Sequence, residues 1–181
     1  MRKGGRKVLV IGYGNPGRLD DGLGPALAAG LEQLELPDVT IEADYQLAVE
    51  DAGTVAEHDV VVFADASLSG PEPFTFRRVE PKASSNFSSH IVEAEGVLAL
   101  AQELFGAKPD AFMLGIRGYA FDEFGEGLSD GARNNLAAAL EFIERVVREG
   151  SFHEAAAAHR ESAAPEGAPS NGDGPCKTES T

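Results

Sequence analysis

The chain has 181 residues, of which 43% are hydrophobic and 25% are charged, and its formal net charge is −15. This length suffices for one ordinary domain with a packed core and is short for two. The composition is that of a globular protein rather than a fibrous or wholly disordered one. Because the net charge is strongly negative, we expect neither nucleic acid nor an acidic membrane surface as a partner.

Cysteine content and hydrophobic runs bear on where the protein acts. A single cysteine, Cys176, excludes an internal disulfide. No hydrophobic run approaches the roughly 20 residues that a membrane helix needs. The apolar stretch at residues 8–11 is short enough for a strand rather than a signal peptide. We therefore expect a cytoplasmic protein.

Short apolar runs alternate with helical patterns over residues 1–150. This alternation predicts an α/β fold: a single three-layer α/β/α domain with a twisted, mostly parallel sheet of about five strands. Two prolines and two arginines in and before the fourth strand place it at a sheet edge. The predicted strands are residues 8–11, 39–43, 60–64, 74–79 and 111–116.

Four helices are predicted between these strands, at residues 25–34, 50–56, 90–104 and 130–149. Pro25 suits a first helical position, and Ser129 can cap the last helix, which Gly150 then ends. Ser88 or Ser89 would cap the third helix and place His90 in its first turn.

The C-terminal residues 151–181 consist mainly of Ala, Glu, Gly, Pro and Ser, and Phe152 is their one large apolar residue. Such a segment cannot bury enough apolar surface to stay folded. The sequence therefore predicts a domain at residues 1–150 and a disordered tail at residues 151–181.

The glycine-rich loop at residues 12–17 matches the G-x-G-x-x-G dinucleotide pattern and follows a predicted strand. Asp20 and Asp21 stand between this loop and the helix, where they would repel a pyrophosphate. Glu42 or Asp44 could still bind a ribose. Dinucleotide binding is therefore the less favoured of the functions considered for this loop.

Two aspartates and a histidine form the candidate site. One of Asp20 and Asp21 is expected to cap the helix, while the other, for which Asp21 is the choice, faces the crevice where open α/β sheets bind ligands. Asp65 follows the third strand, where it could either cap a turn or point into that crevice. His90 is the remaining donor, because His58 precedes its strand and His153 and His159 lie in the tail.

Two carboxylates and one imidazole suit zinc, nickel or another first-row divalent ion, with positions left open for substrate or water. No G-x-S-x-G or H-E-x-x-H motif is present, and Cys176 lies in the tail. A metal-associated water or a carboxylate acting as general base is therefore the expected route to hydrolysis.

Taken in order, the motifs resemble those of the hydrogenase maturation endopeptidases, which process the large subunit of nickel-iron hydrogenase. The resemblance rests on VLVIGYGN at residues 8–15, LDDGLGP at 19–25 and VVVFADA at 60–66. It continues with Ser89-His90, with Leu114-Gly115-Ile116 and with Gly127-Leu128-Ser129.

The resemblance implies that Asp21, Asp65 and His90 bind a divalent metal and carry an aspartate-dependent peptidase activity. It implies that this metal is nickel supplied by the substrate, so that no tightly bound cofactor is expected. The implied partner is the hydrogenase large-subunit precursor, which loses its C-terminal extension, and a monomer is expected. Asp21 departs from the glutamate that family members often have, which shifts the implied metal position.

The missing nucleophile motivates an alternative function. The protein could be a nickel-dependent checkpoint or chaperone that binds the same precursor without cutting it.

Overall fold

A computed structural model of the chain describes residues 5–82 and 92–162. The strands are β1 (Val8–Tyr13), β2 (Val39–Asp44), β3 (Val60–Ser67), β4 (Phe74–Arg78) and β5 (Asp110–Arg117). The helices are α1 (Leu23–Glu32), α2 (Asp51–Ala56), α3 (Ala94–Phe105), α4 (Asp130–Glu149) and α5 (Phe152–Ser162). A short 3-10 helix, Leu19–Gly22, precedes α1.

The five strands form one sheet in the order β2-β1-β3-β5-β4. β1, β2, β3 and β5 are parallel, and β4 pairs antiparallel with β5 at the edge. The predicted α/β fold and the edge position of the fourth strand are therefore confirmed. Parallel strands share their carboxyl ends, so the loops after β1, β3 and β5 meet at one edge of the sheet.

Helices cover both faces of the sheet, because the central strands are apolar at successive positions. On one face, Val8 and Val10 pack with α1 and α4. On the other, Leu9 and Ile11 pack with α2 and α3. Side chains alternate between the two faces of a strand. Successive residues of β1 and β3 therefore pack alternately into the two hydrophobic cores. In the described part of the chain, no helix combines the length and apolar character that crossing a membrane requires.

Glycine lets α1 approach β1 closely. A Cβ at Gly24 would lie 2.6 Å from the carbonyl oxygen of Ala64 on β3, and one at Gly12 would lie 3.1 Å from the Ala28 side chain. Gly14 has a φ of +139° and supports the turn that follows β1. Two of the glycines in the dinucleotide-like pattern therefore serve the packing and turning of the chain.

Most elements begin or end one to three residues from the predicted position, and three of the differences bear on the site. α1 begins at Leu23, so Pro25 is its third residue, still within the first turn that tolerates proline. β3 continues through Asp65 to Ser67, because its pairing with β5 extends to Arg117. α3 begins at Ala94 rather than His90, since Glu93 has extended backbone angles. The proposed Ser88 or Ser89 cap and His90 itself lie outside the described residues.

The predicted cap and the predicted stop of the last long helix, α4, are both confirmed. The Ser129 hydroxyl accepts a hydrogen bond from the main-chain N–H of Ala132 at 3.3 Å, and Gly150 ends α4 with a φ of +68°. That left-handed residue at the helix end redirects the chain.

The predicted start of a disordered tail at residue 151 is wrong, because α5 packs against the sheet. Phe152 is buried and lies 5.6 Å, ring to ring, from Phe112 of β5. The His159 ring lies 5.1 Å from Phe74 and 5.0 Å from Phe142. Aromatic contacts therefore hold a helix whose composition gave little indication of burial.

Candidate active site

The candidate site lies at the carboxyl edge of the sheet, where β1 and β3 end side by side. Gly12 of β1 pairs with Ala64 of β3, and Asp65 pairs with Gly115 of β5. Asp65 follows Val61 and Phe63 with period two, so it points to the face covered by α2 and α3. Its Oδ1 accepts a hydrogen bond from the next N–H along the chain, that of Ala66, and the interpretation that Asp65 also faces the crevice stays a prediction.

Asp65 has a strongly perturbed pKa. Burial raises it, a hydrogen bond from the Ala66 N–H to Oδ1 at 2.7 Å opposes the rise, and the charge of Asp21 raises it again. The net result is a pKa of about 6. Burial and a neighbouring like charge favour the protonated form of a carboxyl group. Strong shifts of this kind cluster at functional sites, although structural networks produce them too.

Asp21 is partly exposed on the 3-10 helix that follows β1. Its Oδ2 accepts a hydrogen bond at 3.0 Å from the main-chain N–H of Asn15 in the glycine-rich loop. Its charge contributes to the raised pKa of Asp65, so the two carboxylates lie near each other at the carboxyl edge. A divalent cation between them would relieve that repulsion, so this donor pair suits a metal ion.

Asp20 does not share the role of Asp21, because its side chain is fully buried. Its Oδ2 accepts hydrogen bonds from the N–H groups of Tyr119 (2.8 Å) and Ala120 (2.9 Å). Ser129 donates its N–H to Oδ1 and its hydroxyl to Oδ2, each at 2.7 Å. Burial raises the pKa of Asp20, but these bonds outweigh it and hold the pKa below its usual value. Asp20 therefore joins the first loop to the β5–α4 connection.

The β5–α4 connection is further fixed by Asn135 of α4. This buried side chain donates from Nδ2 to the Arg117 carbonyl and to the Tyr119 hydroxyl, each at 2.9 Å. The Tyr119 hydroxyl in turn donates to Glu72. The β5–α4 connection is thus held to the first loop through Asp20 and to α4 through Asn135.

Tyr13 is a residue that the sequence analysis did not single out. It ends β1 on the same face as Leu9 and Ile11, and its hydroxyl lies 4.0 Å from the Met113 sulfur. Burial raises its pKa, and the charge of Asp65 raises it further, while Tyr13 lowers the pKa of Asp65 by hydrogen bonding. The period-two pattern of β1 contains the signal that would have found this neighbour of Asp65.

The third predicted ligand, His90, lies outside the described residues. Among the described histidines, His58 bonds Thr54 and Thr40, and His153 lies 3.1 Å from Asp110, which begins β5. Neither contact is with the carboxyl-edge aspartates.

A different acidic group in the described part of the chain is compact enough to hold a metal ion, namely Glu42, Asp44 and Asp51. It lies at the end of β2 and the start of α2. Asp44 pairs with Tyr13 in the sheet, which puts this group at the same edge as Asp65. Such groups are common on acidic surfaces without any metal.

The space above the glycine-rich loop is already filled. A Cβ at Gly14 would collide with the main-chain carbonyl of Asp21, and Asp21 also accepts the Asn15 N–H. A pyrophosphate would need that space and that amide. The structure therefore argues against dinucleotide binding at this loop.

Comparison with known proteins gives matches among solved structures. A NiFe hydrogenase maturation protease, HycI from Thermococcus kodakarensis, has a TM-score of 0.62 and 26% identity, over 81% of this chain and 95% of its own. The hydrogenase maturating endopeptidase HybD from Escherichia coli has a TM-score of 0.63 and 24% identity, over 80% and 93%. The fold is that of the hydrogenase maturation proteases.

An uncharacterised protein from Wolinella succinogenes is 29% identical, with a TM-score of 0.55, over 78% of this chain and 96% of its own. No family model matches the chain, and no curated protein matches it. The resemblance inferred from the sequence motifs is confirmed by these structures.

Proposed function

We propose that this protein is an endopeptidase that removes the C-terminal extension of a nickel-loaded hydrogenase large-subunit precursor. Support comes from the HycI protease of Thermococcus kodakarensis, which shares the fold over 95% of its length at 26% identity. It also comes from the ordered motifs of the sequence, which run from the first strand to the cap of the last long helix. A shared fold does not by itself determine function, so the proposal also depends on the residues of the candidate site.

We propose that Asp21, Asp65 and His90 bind the substrate's nickel, so that only metal-loaded precursor is cut. The observation that carries this proposal is the position of two carboxylates at the carboxyl edge of the sheet, where burial, with the charge of Asp21 added to it, raises the pKa of Asp65 to about 6. A divalent cation between two neighbouring carboxylates offsets the repulsion between their charges. An imidazole is a common additional ligand for nickel or zinc.

Asp65 also suits proton transfer. In the metal-free protein, a carboxyl group with a pKa of about 6 changes protonation close to neutral pH. A bound divalent ion would hold Asp65 ionised, as a base. Such a group can take a proton from an attacking water and return it to the departing amine. The scissile carbonyl then becomes the new carboxylate end of the mature subunit, and the released peptide carries the amine. We propose these steps for a peptidase of the aspartate-dependent kind.

The test is the mass of a purified large-subunit precursor, with and without nickel, before and after incubation with this protein. We expect loss of one C-terminal peptide from the nickel-loaded form alone. Asp21→Asn, Asp65→Asn and His90→Gln should each abolish this loss. Full processing by all three variants would refute the assignment of the site.

Matched controls lie at the opposite edge of the sheet. Asp59 accepts the Lys7 N–H at 2.8 Å just before β3, and His58 bonds Thr54 and Thr40. Asp59→Asn and His58→Gln remove the same chemical groups away from the site. They should process the precursor like the unaltered protein.

A nickel-dependent checkpoint is the second candidate, since the sequence has no recognised nucleophile motif. It predicts a nickel-dependent complex whose precursor keeps its full mass. Any discrete mass loss in the experiment above would exclude it.

A further inference from the structure

Phe124 stands out on the surface because 89% of its side chain is exposed. It lies in the β5–α4 connection, within the segment of residues 121–126 that is named the Phe124 loop here. One exposed apolar side chain is common in proteins and needs no explanation by itself. The setting of this one is different, because the loop that presents it is held in place and adjoins the candidate site.

Main-chain hydrogen bonds anchor the Phe124 loop to the first loop of the domain. The Leu19 N–H donates to the Gly125 carbonyl at 3.0 Å, and the Gly125 N–H donates to the Gly17 carbonyl at 2.9 Å. The Arg18 guanidinium donates to the Phe121 carbonyl at 3.2 Å and lies 6.0 Å from the centre of the Phe124 ring. The loop is therefore bonded on both sides of its exposed ring.

The anchor is also the element that carries the site. Leu19 and Asp20 belong to the same 3-10 helix as Asp21. Asp20 accepts the N–H groups of Tyr119 and Ala120, immediately before the Phe124 loop. A short chain of hydrogen bonds thus holds the main chain that carries the exposed ring to the 3-10 helix that carries Asp21.

The charge around Phe124 indicates what kind of surface it fits. Asp122, Glu123 and Glu126 are exposed on the loop, and the whole chain carries a net charge of −15. With Arg18 on one side of its ring and three carboxylates on the same loop, Phe124 is complementary to an apolar pocket whose rim carries mainly lysine or arginine. An aromatic side chain on a main chain that is already ordered loses little conformational freedom on binding, which favours its use as an anchor.

We infer that the Phe124 loop is a docking surface for the protein substrate, separate from the side chains proposed to bind the metal. The occupant is a folded precursor subunit, which presents an apolar pocket with a basic rim next to its scissile tail. This inference rests on the proposed function for the identity of the partner. Docking here holds the tail against Asp21 and Asp65 and contributes binding rather than chemistry.

The experiment measures the equilibrium affinity for nickel-loaded precursor, in an Asp65→Asn background that prevents turnover. Phe124→Ala should raise the Kd by about tenfold or more, as expected for an aromatic anchor. The matched control is Phe105→Ala, which removes a 58% exposed phenylalanine at the end of α3. That control should leave the Kd within about twofold, the range of near-neutral interface positions.

Charge reversal tests the second part of the inference. Glu123→Lys should weaken binding at low salt, and the difference from the unaltered protein should shrink as salt screens the interaction. An unchanged Kd for Phe124→Ala, or an equal rise for Phe105→Ala, would overturn the docking assignment. So would a dimer of the free protein that Phe124→Ala dissociates, because the ring would then contact a second copy.

Failure of the proposed function would look different. The peptidase proposal fails if the protein with Asp65 intact never changes the precursor's mass, whereas the docking inference is judged on affinity alone. In the active protein, Phe124→Ala should raise KM and leave kcat nearly unchanged, because the interaction is made equally in the ground and transition states. A fall in kcat at constant KM would contradict the docking role.

Discussion

Replacing Asp20 should show how far the site depends on one buried carboxylate. Asp20→Ala leaves three main-chain N–H groups, those of Tyr119, Ala120 and Ser129, without their acceptor. An unsatisfied buried donor costs at least about 1 kcal/mol, so the free energy of unfolding should fall by roughly 3 to 5 kcal/mol. Asp20→Asn retains one oxygen but turns its amide toward a donor, and we expect a loss of about 2 kcal/mol.

The pH dependence gives an independent check. The folded state holds the pKa of Asp20 below its ordinary value of 3.8. Its contribution to stability is therefore present above pH 3.8 and is lost as the pH falls through the lower, folded-state pKa. Asp20→Asn cannot titrate, so its stability should change less over that acidic range.

Urea unfolding of the two variants and the unaltered protein, repeated from pH 7 down to pH 3, measures both effects. Asp130→Asn is the control, because its side chain is 97% exposed beside the same helix cap. It should unfold close to the unaltered protein. If Asp20→Ala loses no more stability than this control, the carboxylate does not hold the two loops together and the reasoning is refuted.

Three further variants test other parts of the structure. Asp65→Asn should stabilise the metal-free protein at pH 7 and not at pH 3.5. The reason is that ionising a carboxyl group whose folded pKa is about 6 costs stability as the pH rises from 3.8 to 6. A variant whose melting temperature equals that of the unaltered protein at both pH values would contradict this. Phe152→Ala should lower the free energy of unfolding by about 3 kcal/mol, through the lost contact with Phe112, and an unchanged urea midpoint would show that α5 adds no stability. Gly24→Ala should be strongly destabilising because its Cβ would meet the Ala64 carbonyl at 2.6 Å, whereas Gly53→Ala has open space and should be neutral or stabilising.

Local patterns determined the fold class and most element positions. The apolar runs of β1 and β3 are long enough to indicate buried parallel strands, and Ser129 and Gly150 mark the limits of α4 by their own backbone and hydrogen-bonding preferences. The same sequence order placed Asp21 and Asp65 near the carboxyl edge of the sheet, because both lie at or beyond the ends of parallel strands. Their role stays a prediction. These features depend on neighbours within a few residues.

Tertiary structure decided the features that depend on distant residues. Asp20 and Asp21 are adjacent in sequence, and only the return of residues 119–129 shows that Asp20 is buried while Asp21 remains partly exposed. The same holds for α5, whose single large apolar residue finds its partner, Phe112, forty residues earlier in the chain. Composition measures how much apolar surface a segment has, whereas burial depends on what the rest of the chain places against it.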